Sequence, residues 1–126
     1  MSKIKLHWII ETIPDAALLF RRFHKQWMDE DGLIDPGLFK DIEMSADWNK
    51  YSTATQSRAR AKKAEDNGIV ELNVGSLKLL PQDVIHIPSL GSNNRSHSNI
   101  KGIKDEEMRL KIRAICKKVI IPSDPI

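Results

Sequence analysis

Residues 69–104, IVELNVGSLKLLPQDVIHIPSLGSNNRSHSNIKGIK, decide the fold class. Val70, Leu72 and Val74 alternate with Glu71 and Asn73, the period of a strand with one buried face. Gly75 predicts a bulge or turn, and Pro81-Gln82-Asp83 a turn. Residues 84–87 read as a short strand stopped by Pro88, 89–94 as a loop, and 95–103 as a further strand. Three strand segments follow one another without a crossover helix. That order predicts antiparallel pairing and argues against a doubly wound parallel sheet.

Helical patterns flank this stretch. Downstream, Asp105, Glu106 and Glu107 stand where the positive end of a helix favours acids. Met108, Ile112, Ile115 and Val119 supply an apolar stripe, and Pro122 and Pro125 close the helix before a short tail, 122–126. Upstream, Thr53 with Gln56 makes a capping box. Ala54, Ala59, Ala61 and Ala64 favour helix, and Asn67-Gly68 reads as its stop. Residues 29–47 are acidic and interrupted by Gly32 and Pro36-Gly37, with seven acids against one lysine. Their spacing does not fit a calcium loop, and a solvated acidic loop is the plainer account. Thr12 and Pro14 predict a helix over 14–28, whose stripe is Leu19, Phe23 and Trp27. Residues 3–10 alternate in part and read as a strand.

The expectation is a single α+β domain over residues 1–126. It has a small antiparallel sheet of about three to four strands packed with two to three helices. Residues 1–47 form an acidic helical part, and 48–121 hold the basic helix, the sheet and the last helix. A chain of 126 residues buries a real core. No uncharged apolar run is long enough to span a bilayer, so no membrane contact is expected. The N-terminus lacks the apolar core of a signal peptide. The single Cys116 excludes an intramolecular disulfide and fits a reducing cytoplasm.

The net charge of +3 hides an asymmetry. Residues 1–47 carry six basic and nine acidic side chains, whereas 48–126 carry fourteen basic and eight acidic. The basic part suits nucleic acid, RNA or DNA, or a nucleotide. Solvated helix faces are the plainer alternative. Arg58, Arg60, Lys62 and Lys63 sit on one predicted helix with Tyr51 and Trp48 just before it. Cations there would hold phosphates while an aromatic ring stacks on a base.

Residues 84–104 hold the candidate chemistry. His97, Asn99 and Lys101 follow Arg95 at strand spacing and share a face that belongs in solvent or a cleft. His86 lies on the preceding strand, and pairing of the two strands would bring the histidines together. Two imidazoles and a cation are the minimum for metal-free RNA cleavage: one takes the 2′-hydroxyl proton, one protonates the leaving oxygen, and the cation holds the developing charge. His86, His97 and Arg95 are the catalytic candidates. Tyr51, Arg58, Arg60, Lys62, Lys63, Asn94 and Lys101 are the nucleic-acid-binding ones. Neither a metal nor a cofactor is expected, since CxxC, HExxH, GxxxxGK[ST] and Gly-x-Ser-x-Gly are all lacking.

Three functions fit these residues. The first is a small cytoplasmic nucleic-acid-associated protein, in its sharpest form a metal-independent ribonuclease of toxin or defence type. The second is a non-catalytic module whose acidic 29–47 segment meets a protein partner. The third is an enzyme acting on a nucleotide such as NAD.

Overall fold

A computed structural model describes residues 7–126 and shows an α+β fold built on one antiparallel sheet of six strands. In chain order the elements are β1 (Leu18–His24), β2 (Glu43–Trp48), α1 (Ala54–Ala59), β3 (Asn67–Asn73), α2 (Val74–Leu79), β4 (Asp83–His86), β5 (His97–Lys101), α3 (Glu106–Ile115) and β6 (Lys117–Ile120). The sheet order is β4-β5-β2-β1-β3-β6. Among the described residues no helix is long and apolar enough to cross a membrane.

The expected class holds, with more strands than expected. The helix predicted over 14–28 is corrected to strand β1. Leu19 and Phe23 are spaced by four, which places two residues on one face of a helix and equally on one face of a strand. Pairing with β3 along seven residues, Leu18 with Asn73 through His24 with Asn67, decides for the strand. The acidic 29–47 segment is likewise not a mere loop. It contributes a 3₁₀ turn at Pro36–Phe39 and most of β2, and Leu38, Phe39 and Met44 are buried. The strand read at 3–10 lies in part outside the described residues, and His7–Ile10 take no regular structure. Gly75 sits inside α2 rather than at a bulge or turn, so a helix does intervene between β3 and β4, and β3 pairs with β1 and β6 instead of with β4.

The Thr53–Gln56 capping box forms in both directions and starts α1. The helix is only six residues long, with Arg60 as its C-cap, so Lys62 and Lys63 lie beyond it rather than on it, and Asn67 and Gly68 belong to β3 and do not stop a helix. A Cβ on Gly68 would stand 2.5 Å from the Phe23 ring and from the Ile120 carbonyl, so the β1–β3–β6 junction admits no side chain there. Helix α3 starts at an Asp105 cap, as its acids suggest, but ends at Ile115. Val119 joins β6 instead of the helix stripe. Cys116 caps the helix half-buried, and burial pushes its thiol pKa up.

Alternation sorts the sheet into two faces. Leu19, Phe23, Met44, Ala46, Trp48, Val70, Leu72 and Ile100 form the core with Leu38, Phe39, Leu77 and Ile112. On the opposite face α1 lies over β1 and β3, where Ile69 is buried. Over β1, β2 and β5 that face carries Phe20, Arg22, Ser45, Asp47, His97 and Asn99. Two cations are built into the body of the fold. Lys104 is buried and donates to the carbonyls of Ile42, Ile100 and Gly102, and burial, then nearby Arg21, draws its pKa down to about 8. Arg58 is 4% exposed. Its Nε donates to Ala64 and Asn67 carbonyls, and its terminal nitrogens to those of Pro122, Asp124 and Pro125.

Arg58 therefore fastens the C-terminal segment to α1, and all three of its nitrogens are committed to backbone carbonyls rather than to a phosphate. Replacing it with methionine keeps the bulk and strands those carbonyl oxygens. Arg58→Met is expected to lose about 3 kcal/mol in denaturant unfolding. Residues 121–126 should become the first site of proteolysis in the variant.

Candidate functional site

The site lies where β1 and β2 part. Their ladder consists of two pairs, Leu19 with Trp48 and Phe20 with Asp47. Beyond them the Arg21 guanidinium fills the gap, donating to the Ser45 carbonyl at 2.8 Å and twice to the Leu38 carbonyl. Above this wedge is a cleft of about 350 Å³ lined by Phe20, Arg21, Arg22, Ser45, Asp47, Arg60, Asn94 and His97, among others. A second hollow of about 420 Å³ continues from Arg22 past His24, Lys62 and Lys63. Arg22 lines both, so the two hollows adjoin at its side chain, and together we call them the basic track, although Asp47 and Asp66 also line them.

Asp47 holds the cleft together. Its carboxylate is buried and accepts from Asn94 Nδ2 at 2.8 Å, Ser96 Oγ at 3.0 Å and the Arg60 guanidinium at 3.0 Å. Those donors come from the loop before β5 and from the end of α1. Burial opposes the charge, but the hydrogen bonds, Asn94's foremost, outweigh it and hold the carboxyl below its ordinary 3.8. Arg60 spends one nitrogen on Asp47 and Ser52. Arg22 gives one nitrogen to the Ser57 carbonyl. Among the described residues Arg22, Lys62 and Lys63 have no carboxylate partner.

The two histidines do not meet. Strands β4 and β5 pair as expected, but the register sets His86 opposite Ser98. His86 thus shares the core face, and His97, one residue earlier on β5, takes the open face. The His86 ring is 1% exposed. Its Nδ1 accepts from the Glu11 backbone N–H at 3.0 Å, and its Nε2–H donates to the Arg95 carbonyl at 2.7 Å. Neither nitrogen is free for a substrate, so the two-imidazole arrangement is corrected to a single histidine in the cleft. His97 donates its Nδ1–H to the Ile87 carbonyl at 2.8 Å, which leaves the Nε2 lone pair facing Ser45 Oγ at 3.4 Å.

The other expected residues divide between the two faces. Arg60, Lys62, Lys63, Asn94 and His97 line the track. Arg95 is turned away and lies 4.2 Å from the centre of the Tyr51 ring, a cation–π contact. Tyr51 stacks on His86 and donates its hydroxyl to Glu11. Lys50 also donates to Glu11, and these bonds hold that carboxyl below its ordinary value. Lys101 is exposed beside Glu43 at 3.6 Å, at the far end of β5. Phe20, Arg22, Ser45 and Asp47 are additions to the expected set. Their signal is the alternation of Phe20, Arg22 and His24 and of Ser45 and Asp47, visible once β1 and β2 are read as strands.

Asp47→Asn keeps the shape but turns an amide NH₂ toward groups that themselves donate. We expect a loss of roughly 2–3 kcal/mol at neutral pH. The folded-state pKa is depressed, so the carboxylate's contribution is full above its ordinary 3.8 and disappears as pH falls below it. Unfolding curves of the two proteins should differ most at neutral pH and converge in acid.

Comparison of the chain with protein-family models, with curated proteins and with solved structures finds no match to any of them.

Proposed function

We propose that the protein binds single-stranded nucleic acid, RNA or DNA, along the open face of its sheet. The observation that carries this reading is the set of cations Arg60, Arg22, Lys62 and Lys63 lining two adjoining hollows beside a half-buried Phe20. Phosphates follow the cations, and an unpaired base lies against Phe20 and the His97 ring. Asn99 projects from the same face and supplies amide donors and acceptors. The cleft at the head of the track is within the roughly 300–1,000 Å³ range of small-ligand pockets, enough for one flipped-out nucleotide.

Single strands suit this site better than a duplex. The face is concave where α1 and the 89–96 loop rise on either side of it, and a base must reach the sheet to stack. Specificity for a sequence is not implied, because cations and ring faces accept any base.

The test is fluorescence anisotropy with short labelled single-stranded RNA and DNA at rising salt. Binding is expected at low ionic strength, with log affinity falling linearly with log salt. Changing Lys62 and Lys63 together to alanine should reduce the slope by about 0.7 for each phosphate that is no longer neutralised. Arg58→Met should leave the slope unchanged, since its guanidinium is committed to carbonyls. Failure to bind either strand at low salt would overturn the proposal.

A further inference from the structure

The geometry points to Ser45 as a nucleophile activated by His97, so that the cleft cleaves the phosphodiester it holds; for its natural substrate this rests on the nucleic-acid reading above. Three observations carry it. The first is a fixed tautomer. A carbonyl oxygen only accepts, so the 2.8 Å contact to Ile87 places the His97 proton on Nδ1. The neutral ring then has an unprotonated Nε2, and Ser45 Oγ is 3.4 Å from it. The second is the nucleophile's footing. The Ser45 carbonyl is pinned by Arg21 at 2.8 Å, while the residue itself is exposed to the cleft. The third is the surroundings. Arg22 and Arg60 line the same cleft and can face charge on a phosphorane. A nucleophile, a base within reach and a group that orients the base form the arrangement that nucleophilic catalysis requires. The contact is long for a hydrogen bond, as such contacts often are before substrate binds.

The reaction balances with substrate and water alone. His97 Nε2 takes the Ser45 hydroxyl proton as the Oγ–P bond forms. The P–O bond to one sugar breaks, and its oxygen receives that proton from His97, releasing one fragment as an alcohol. The other fragment remains on Ser45 as a phosphodiester. His97 then takes a proton from water, the water oxygen attacks phosphorus, and Ser45 Oγ leaves and recovers the proton. The second fragment departs as a phosphomonoester. Ser45 and His97 are the catalytic residues, whereas Arg21 and the Ile87 carbonyl position them.

Because the nucleophile belongs to the protein, the 2′-hydroxyl is not needed. DNA and RNA single strands should both be cut in EDTA, without 2′,3′-cyclic phosphate ends. Acid-quenched mixtures of the full chain with labelled strand should contain a covalent adduct, placed on Ser45 by tandem mass spectrometry. Ser45→Ala should abolish the adduct. His97→Gln should slow its formation by about 10²–10⁴-fold, with circular dichroism confirming that both variants fold. Cleavage of RNA alone with cyclic phosphate ends, or cutting that survives Ser45→Ala, would overturn the inference. A chain that binds strands and cuts neither would overturn it too, leaving the binding reading intact. If the chain binds no strand, that reading fails by itself, and a fluorophosphonate decides for the dyad. Labelling of Ser45 that requires His97 supports it, and no labelling overturns it.

Discussion

The buried Asp47 carboxylate is the constraint around which the open face is organised. It sits on a central strand and reaches no solvent of consequence, so its charge must be met by protein donors. Asn94 and Ser96 come from the β4–β5 connection, and Arg60 comes from the end of α1. Three segments far apart in the chain are thereby fixed to one point. The two walls of the cleft, α1 and the 89–96 loop, stand where they do because both bond to the same carboxylate. An apolar residue at this position would bury as well, but it would leave those walls without a common anchor.

Arg21 plays the complementary part between β1 and β2. A complete ladder between these strands would close the sheet and leave a flat face. The ladder stops after two pairs, and one guanidinium supplies the donors that the missing backbone partner would have supplied. A hollow at the centre of a sheet is costly when it leaves carbonyls unpaired. Here the Ser45 carbonyl is satisfied, and the hollow persists as part of the fold.

The sequence reveals elements whose periodicity matches only one structure. The alternation at 70–73, the strand at 84–86, the Thr53–Gln56 box and the acidic start of α3 all correspond to what forms. It is silent where one spacing serves two structures. Leu19 and Phe23 fit a helix stripe and a strand face alike, and Pro14 upstream favours the helix. In β2 the alternation of Met44, Ala46 and Trp48 is regular, but acidic neighbours give the segment the composition of a loop. The candidate site follows the same division. Arg60, Lys62, Lys63, Asn94 and His97 stand out by residue type. Phe20, Arg22, Ser45 and Asp47 matter only through the pairing of β1 with β2. The separation of His86 from His97 depends on a register that a one-residue change in the connecting loop would reverse.

The strand order also dictates when this face comes into being. Strand β1 waits for β2 on one side and for β3, beyond α1, on the other, so large loops must close before the central ladders form. The β1–β2–β3 ribbon carries seven of the sixteen residues of the apolar core. The face above it is finished only when β5 adds to β2 and Asn94 and Ser96 arrive at Asp47. An intermediate halted before that step would be compact, with Asp47 met by Arg60 but not yet by Asn94 and Ser96. Such a species should be cut by proteases within residues 87–96 more readily than the finished fold, because that connection is not yet fastened to the sheet.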